Sequence, residues 1–419
     1  IGSGSGGAYS GKFVVKGGSV LLANSGKCRD GYPQNGDGTQ VYCVTNQFAY
    51  IVGKGVAVRF PSAPFAYGDK DIFTDDAKQV YLWLPKTAGT YTIAYENKDG
   101  TFKELTPESV PVPGTVNVFK DPQTTVTYAK PDGTSAATKA IPVDANRTEL
   151  LGGNWYIVTN VVSMSQSLEV VGSANLILAD GAKLTATGGS GHAGIEVADG
   201  NALTIWDQDG HTGKLDATGG SNGAGIGGGN GVTNGTVTIN GGTVMAQGGA
   251  GGPGIGGGKL GAGGTVTANG GTVVAKAAGI GTWDVGSGWG GGEDVGEFIV
   301  VGGSVHLANS GKCRDGYPQK TEDTASLRLI TVTVNTNAAE GVLSPVTVSD
   351  IEFLKDAYKL GDYNTKGVQL IGGKLYFYLE KNRAYAFKVN DGEIDYYVLV
   401  PASEDAYSAM ATCLDTHPM

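Results

Sequence analysis

The stretch TVTINGGTVMAQGG, which runs from Thr236 to Gly249, decides the fold of this chain. Two short runs rich in β-branched residues flank a glycine pair, and apolar and polar residues alternate along each run, which is typical of strands joined by a tight corner. The pattern returns as TVTANGGTVVAKA at 265–277 and as FIVVGGSVHLA at 298–308. A unit of this size cannot bury its apolar face alone, so successive units are expected to stack.

A second element recurs between these runs. The segments AGIEV, AGIGGG, PGIGGG and AGIGTW contain Ile195, Ile226, Ile255 and Ile280, at successive intervals of 31, 29 and 25 (226 − 195, 255 − 226 and 280 − 255). Each unit then offers about three short strands separated by turns, which is typical of a solenoid repeat. The predicted fold is therefore all-β, with a right-handed parallel β-helix, or β-solenoid, as its centre.

Glycine is the most informative residue type in the composition. It supplies 71 of 419 residues without a collagen triplet or an excess of proline. We interpret these glycines as corner residues, because glycine takes φ above zero without Cβ strain. Asn240 and Asn269 precede two of the glycine pairs, as residues that tolerate the left-handed region should. A hydrophobic share of 40% and a charged share of 17% exclude an intrinsically disordered chain.

A longer repeat divides the chain into modules. The string ANSGKCRDGYPQ occurs at 23–34 and again at 308–319, an offset of 285 (308 − 23). The similarity extends upstream, where KFVVKGGSVLL at 12–22 matches EFIVVGGSVHL at 297–307. Twelve consecutive identities indicate duplication, and they predict that two equivalent junctions occur in the chain.

The long repeat predicts five segments. Residues 1–35 end a preceding β-helix, 36–112 form a small antiparallel β-sandwich module, 113–321 form the glycine-rich β-helix, 322–405 form a second β-sandwich module, and 406–419 form a C-terminal tail. The two sandwiches are inferred from aromatic strands with period-two alternation, such as 80–84 and 375–379. The one helix predicted lies between Ser349 and Ala357.

Charge and cysteine content narrow the function class. A formal charge of −10 and a pI near 4.9 argue against a nucleic-acid partner, which would require a basic face. No apolar run reaches the length of roughly 18 residues that a membrane-spanning helix needs, so no membrane insertion is predicted for this segment. Two structural disulfides would suit an exported protein, and we favour Cys28 with Cys43 and Cys313 with Cys413. Free thiols and links between neighbouring molecules stay open as alternatives.

A β-helix can carry polysaccharide lyase or hydrolase chemistry if carboxylates cluster on one face. Seven residues are candidates: Asp180, Asp199, Asp207, Asp209, Asp216, His192 and His211. Asp207 and Asp209 would share a face on a strand, but DQDG is also a typical turn. Both histidines lie in glycine loops without an evident partner and are expected to be solvated. We therefore predict no catalytic site, no metal site and no cofactor.

Carbohydrate binding would need exposed aromatic side chains. Trp206, Trp283 and Trp289 all fall in the predicted β-helix, and an indole on a glycine-rich loop can stack on a sugar ring. The alternative is that a tryptophan covers the open end of the β-helix. The two interpretations are evenly balanced for Trp283 and Trp289, and the covering role is favoured for Trp206.

The stretch GNALTIWDQDGHTGKLDATGGSNGAGIGGGNGVTNGTVTINGGTVMAQGG resembles the glycine-rich repeats of large surface proteins of gut and rumen bacteria, described as adhesin-like or carbohydrate-binding. The resemblance covers about residues 150–320. It implies a parallel β-helix and an extracellular location on the bacterial cell surface. It carries over no catalytic motif.

The function expected from these patterns is structural and adhesive. The chain would be a segment of a large repetitive surface protein that self-associates or contacts neighbouring repeat modules, and it would build a fibre or filament. Surface glycans are a further candidate partner. The alternatives are a carbohydrate-binding module and, after it, a polysaccharide lyase or hydrolase on a β-helix. Near-identical junctions favour the structural interpretation, because catalysis gains little from them.

Overall fold

A computed structural model of the chain describes residues 20, 41–47, 55–60, 72–76, 79–84, 93–96, 102–105, 116–118, 123–279, 282–291, 296–309, 327–335, 337–339 and 342–413. The described residues are all-β apart from one 3-10 helix, Asp356–Tyr358. The chain divides into two compact units, Ile1–Pro122 and Gln123–Met419.

Two sheets occur among the described residues of the first unit. One has the strand order Gln79–Leu84, Tyr42–Gln47, Val116–Val118, and the other has the order Ile72–Phe73, Ala57–Arg59, Ile93–Glu96, Phe102–Leu105. Apolar side chains from both sheets form one buried cluster, which includes Val44, Val58 and Leu82. The described pairs are antiparallel except the pair between Tyr42–Gln47 and Val116–Val118.

Three large sheets form the first part of the second unit. Sheet A has six strands: Glu149–Leu151, Leu168–Val171, Ile195–Glu196, Ile226–Gly227, Ile255–Gly256 and Val285–Gly286. Sheet B has eight: Thr124–Ala129, Ser135–Pro142, Trp155–Val158, Ser173–Leu178, Ala202–Asp207, Thr236–Ile239, Thr265–Ala268 and Glu297–Val300. Sheet C has six: Val161–Met164, Lys183–Thr187, Lys214–Thr218, Thr243–Gln247, Thr272–Lys276 and Ser304–Leu307. Pairing is parallel throughout except between the first two strands of sheet B.

The chain visits the sheets in the fixed order A, B, C, and we call each pass a layer. Equivalent residues of successive layers lie in register, so that apolar side chains stack in columns. The sheet A column consists of Leu168, Ile195, Ile226, Ile255 and Val285, each at most 1% exposed. The predicted stacking of parallel strands is therefore confirmed. Ile280 lies outside the described residues, and Val285 pairs with Ile255, so the interval at this layer is 30 (285 − 255).

Glycine makes this stacking possible in two ways. At the corners between sheets B and C, Gly242 and Gly271 have φ of +80° and +72°, the left-handed region in which a side chain would be strained. In the loops between sheets C and A, glycines stand directly above one another. A Cβ on Gly220 would lie 1.9 Å from the carbonyl oxygen of Gly189, and a Cβ on Gly249 would lie 1.8 Å from that of Gly220. Only glycine fits at these two stacked positions.

Two further sheets complete the second unit. One has the strand order Leu343–Pro345, Gln369–Ile371, Lys374–Glu380, Leu327–Thr333, Tyr407–Met410, and the other has the order Thr347–Asp350, Tyr385–Asn390, Asp395–Val400, Thr412–Cys413. Their pairs are antiparallel except between Leu327–Thr333 and Tyr407–Met410, a parallel pair that the sequence did not predict. In the first unit, Tyr42–Gln47 pairs in parallel with Val116–Val118 in the same way. The two sandwich-like segments of the long repeat therefore share this parallel pair.

The helix predicted between Ser349 and Ala357 is wrong. Thr347–Asp350 is an edge strand that pairs with Tyr385–Asn390 and buries Val348. The 3-10 helix Asp356–Tyr358 that follows has no buried residue. A short segment with helical propensity forms a strand here because tertiary pairing satisfies its backbone and its apolar face.

The junction predicted from the long repeat contacts a strand at the equivalent place in each unit. This strand is Gln79–Leu84 in the first unit and Lys374–Glu380 in the second. In the first unit, Val20 N–H donates to the Tyr81 carbonyl, and Trp83 Nε1 donates to the Val20 carbonyl at 2.7 Å. In the second unit, Tyr376 N–H donates to Ser304 Oγ at 3.1 Å, and His306 stacks on Tyr376 at a centroid distance of 4.0 Å. The five predicted segment boundaries stay predictions.

Candidate functional site

Trp206 lies on the outward face of sheet B, in a strand that has neighbours on both sides. Its ring contacts Tyr128 and Trp155 at centroid distances of 4.9 and 5.6 Å, and its Nε1 donates to Asn175 Oδ1 at 3.0 Å. Tyr128 belongs to the antiparallel hairpin that begins sheet B. The sequence suggested that Trp206 covers an open end of the stacked strands. The structure instead places it in a strand with neighbours on both sides. It is itself partly covered by the hairpin.

Trp289 is the most exposed of the three candidate tryptophans, at 54%. It follows the last strand of sheet A, and its ring lies 5.0 Å from Lys259 Nζ, an arrangement typical of a cation–π contact. Leu260, in the preceding layer, is 59% exposed and donates its N–H to the Trp289 carbonyl. Both side chains are therefore exposed, in neighbouring loops that are rich in glycine.

Trp283 is partly buried and lies beside Asp284, whose side chain is inaccessible to solvent. The Asp284 carboxylate accepts hydrogen bonds from the N–H groups of Ala277 and Asn309, so it joins the loops around the last layer. Within the described residues, Trp283 and Trp289 have no ring contact with each other or with Trp206. The three candidates are therefore separate positions and do not form one binding platform.

The loop at 207–213 interrupts the regular corners between sheets B and C. Ile205 is in register with Ile239, and Leu215 with Val244, so this corner is five residues longer than the next one ((215 − 205) − (244 − 239) = 5). The buried Asp207 carboxylate accepts the Gly242 N–H and meets His211 Nδ1 at 2.7 Å. This hydrogen bond raises the pKa of His211, with burial acting in the opposite direction. The expectation that His211 is solvated without a partner is wrong.

Asp180 and Asp209 lie around the long corner with Asp207 and His211, whereas Asp199 and Asp216 bond elsewhere. Asp180 accepts from Gly210 N–H and Thr212, Asp209 accepts from Ser135 Oγ, Asp216 pairs with Lys183, and Asp199 caps Gly200. His192 also has a partner, Glu196, at 3.0 Å. Each carboxylate thus bonds to a nearby loop or strand. No group of three metal-ligating side chains occurs among the described residues.

A cavity of about 580 Å³ opens beside His211. Its walls come from the long corner and from three segments of the following sheets, 345–348, 365–369 and 390–392. Gly367 lies against the imidazole, since a Cβ there would come within 2.9 Å of His211. Lys366 and Asp391 also line the cavity, although the Lys366 ammonium lies against Gly133, and the Ile394 N–H lowers the pKa of Asp391. This lining suits a polar ligand, and no sequence pattern pointed to it.

The cysteine predictions fall partly outside the described residues. Cys43 and Cys413 are free cysteines in the structure. Cys28 and Cys313, their predicted partners, lie outside the described residues, so the two disulfides stay predictions. Burial raises the pKa of the Cys43 thiol, which reduces its reactivity as a nucleophile.

No family model, no curated protein and no solved structure matches this chain. In the part of the chain that the structure describes, no helix is long and apolar enough to span a membrane.

Proposed function

We propose that the three parallel sheets form a right-handed β-helix, and that the chain is a structural and adhesive segment of a large repetitive protein of the bacterial cell surface. The fixed strand order A, B, C supports a helical path, because the chain returns to each sheet only after passing through the other two. The right hand is expected because a crossover between parallel strands of one sheet is almost always right-handed. A fold of this kind is stabilised by contacts between neighbouring layers. It can therefore be lengthened without changing its cross-section.

The repeated junction is the observation that carries the proposed function. Val20 and Val305 are equivalent positions of the long repeat (305 − 20 = 285), and Val20 itself and Ser304, next to Val305, each bond to the equivalent strand of the following sheets. A module that ends in this way twice can be repeated along a surface fibre, presenting many identical contacts to one target. We propose no catalytic role, because each acidic candidate is already engaged by a neighbouring backbone N–H or side chain of the chain.

Electron microscopy of the native surface material tests this proposal. A stalk or fibre predicts filaments with a regular axial repeat. Discrete globular particles without such a repeat would contradict it. The same images, compared with those of the isolated full chain, show whether neighbouring modules are needed for assembly.

Carbohydrate binding is the second candidate function, and the exposure of Trp289 favours it. An indole that is half exposed and adjacent to a lysine can stack on the C–H face of a sugar ring. We expect Trp289→Ala to abolish any signal on a glycan array while leaving the far-ultraviolet circular dichroism spectrum unchanged. Leu260→Ala is the matched control, because it removes a neighbouring exposed side chain without removing an aromatic ring. Equal signals from the wild type and Trp289→Ala would exclude this platform.

A further inference from the structure

An apolar patch lies on the outward face of sheet B. Tyr156 and Val158 point inward, so the alternation of a strand places Trp155 and Ile157 on the outer face. The next two strands add Ile177 and Trp206, which are in register with each other. Ile157 and Ile177 are at most 1% exposed even though they are on the outer face. Something must therefore cover them.

The cover is the hairpin 124–142, which we call the strap. Its Tyr128 ring lies 4.6 Å from Trp155 and 4.9 Å from Trp206, and Val126 packs against the same apolar cluster. Two side-chain hydrogen bonds fix the strap to the long corner. Gln208 Nε2 donates to the Thr127 carbonyl at 3.0 Å, and Ser135 Oγ donates to Asp209 Oδ1 at 2.7 Å.

The strap has few backbone links to the rest of the sheet. Among the described strands, Thr124–Ala129 pairs only with Ser135–Pro142, and that strand pairs with the next one only through Ile141 and Pro142. The strap also begins at the boundary between the two compact units, Pro122 and Gln123. The strap can therefore swing away from the sheet as a preformed hairpin, with residues 141–143 as the hinge. No other strand pairing of the described residues has to break.

We propose that the strap exchanges between copies of this chain, so that the strap of one copy covers the patch of another. The inference rests on the proposed structural role and deepens it by naming a contact between copies. An identical strap reproduces every contact seen within one chain, which makes exchange a low-cost route to association. The outer side of the strap carries exposed Thr125 and Thr127, so the apolar side with Val126 and Tyr128 is the one that fits the patch.

The pair Ser135 and Asp209 reports directly on exchange, because both residues are exposed and their side chains touch. An isotopically heavy full-length chain with Ser135→Cys is mixed with a light full-length chain with Asp209→Cys. The mixture is held at high protein concentration, oxidised, and mapped by peptide mass spectrometry. Exchange predicts a disulfide between the heavy peptide that carries Ser135→Cys and the light peptide that carries Asp209→Cys. Peptide mapping separates this product from disulfides of the native cysteines.

Two controls decide the interpretation. Heavy Thr125→Cys replaces an exposed strap residue away from Asp209, and it should give no specific product with light Asp209→Cys. The double variant in one chain should form the disulfide within that chain. If the double variant forms it and the mixture does not, the strap stays on its own chain and the proposal is overturned. If the double variant also fails, the strap does not dock as described, which overturns it equally. Neither result bears on the filaments sought by microscopy.

Discussion

Alanine at Gly220 is predicted to destabilise the second unit strongly, because the stacked loops leave no room for one methyl group. Its Cβ would lie 1.9 Å from the Gly189 carbonyl oxygen, whereas real Cβ contacts stay above 3.0 Å. The two layers would therefore have to separate by about 1 Å (3.0 − 1.9) against a strand spacing of about 4.8 Å. The obstacle is the backbone of Gly188 and Gly189, so no side-chain rotation relieves it.

The expected cost is about 2–3 kcal/mol, in the upper part of the range for overpacked sites. At about 2–4 °C per kcal/mol for large domains, the unfolding temperature should fall by roughly 5–10 °C. Gly189→Ala is the matched control, since it occupies the same loop position one layer earlier and a Cβ there meets nothing within 4 Å. It should be neutral, or stabilise by about 0.4–1 kcal/mol through the unfolded state.

Differential scanning calorimetry of the full chain resolves the transitions of the two units. In Gly220→Ala, only the unfolding temperature of the unit that contains the three sheets should fall. In Gly189→Ala, the unfolding temperature of neither unit should fall. Equal unfolding temperatures for the two variants would refute the reasoning, because glycine would then be dispensable for the stacking. A shift of the first unit's transition would show that the substitution acts through something other than the layers.

Two further predictions concern the long corner and the following sheets. Asp207 raises the pKa of His211 above its ordinary value of 6.5, so the stabilisation is complete below pH 6.5 and is lost as the pH rises through the folded-state pKa. The stability difference between wild type and His211→Gln, measured by urea unfolding, should therefore be larger at pH 5.5 than at pH 8, and a constant difference would exclude this pair as its source. Asn364→Ala removes the 2.8 Å bond from Asn364 Nδ2 to the Asn269 carbonyl, which should cost about 1 kcal/mol and accelerate amide exchange at Gly271 and Gly303. Unchanged exchange at both amides would show that the side chain is not needed for this contact.

Local patterns were sufficient to predict the layered part of the fold. The period of two in TVTI and TVTA identifies the strands, and the glycine pairs identify the corners, because both depend on neighbouring residues alone. Asn240 and Asn269 were expected at the corners, and Asn269 Nδ2 donates to Asn240 Oδ1 at 2.8 Å, so these residues also bond between layers. That second role follows from the stacking and could have been anticipated once the register was assumed.

Long-range contacts explain what the sequence did not predict. Asn364 is far along the chain from Asn269, whose carbonyl it reaches, and no local pattern connects the two. It lies against Gly270 and Gly302 at the corner of the last layer, where the sequence has VGG instead of NGG. The strap was missed for a related reason. No local pattern connects Tyr128 with Trp155, because a side chain on the outward face of a strand normally meets solvent.

The stacking that stabilises the three sheets also restricts where recognition can occur. In the column through Gly189, Gly220 and Gly249, no side chain can be carried in the later two layers, so these positions offer a ligand only backbone. Specific contacts must then come from positions at which the repeat changes. The structure has such positions at the long corner with His211, at Trp289, and at the strap over Trp206. Under the proposed function, the regular layers would provide extension, and the interruptions would provide the side chains that distinguish one partner from another.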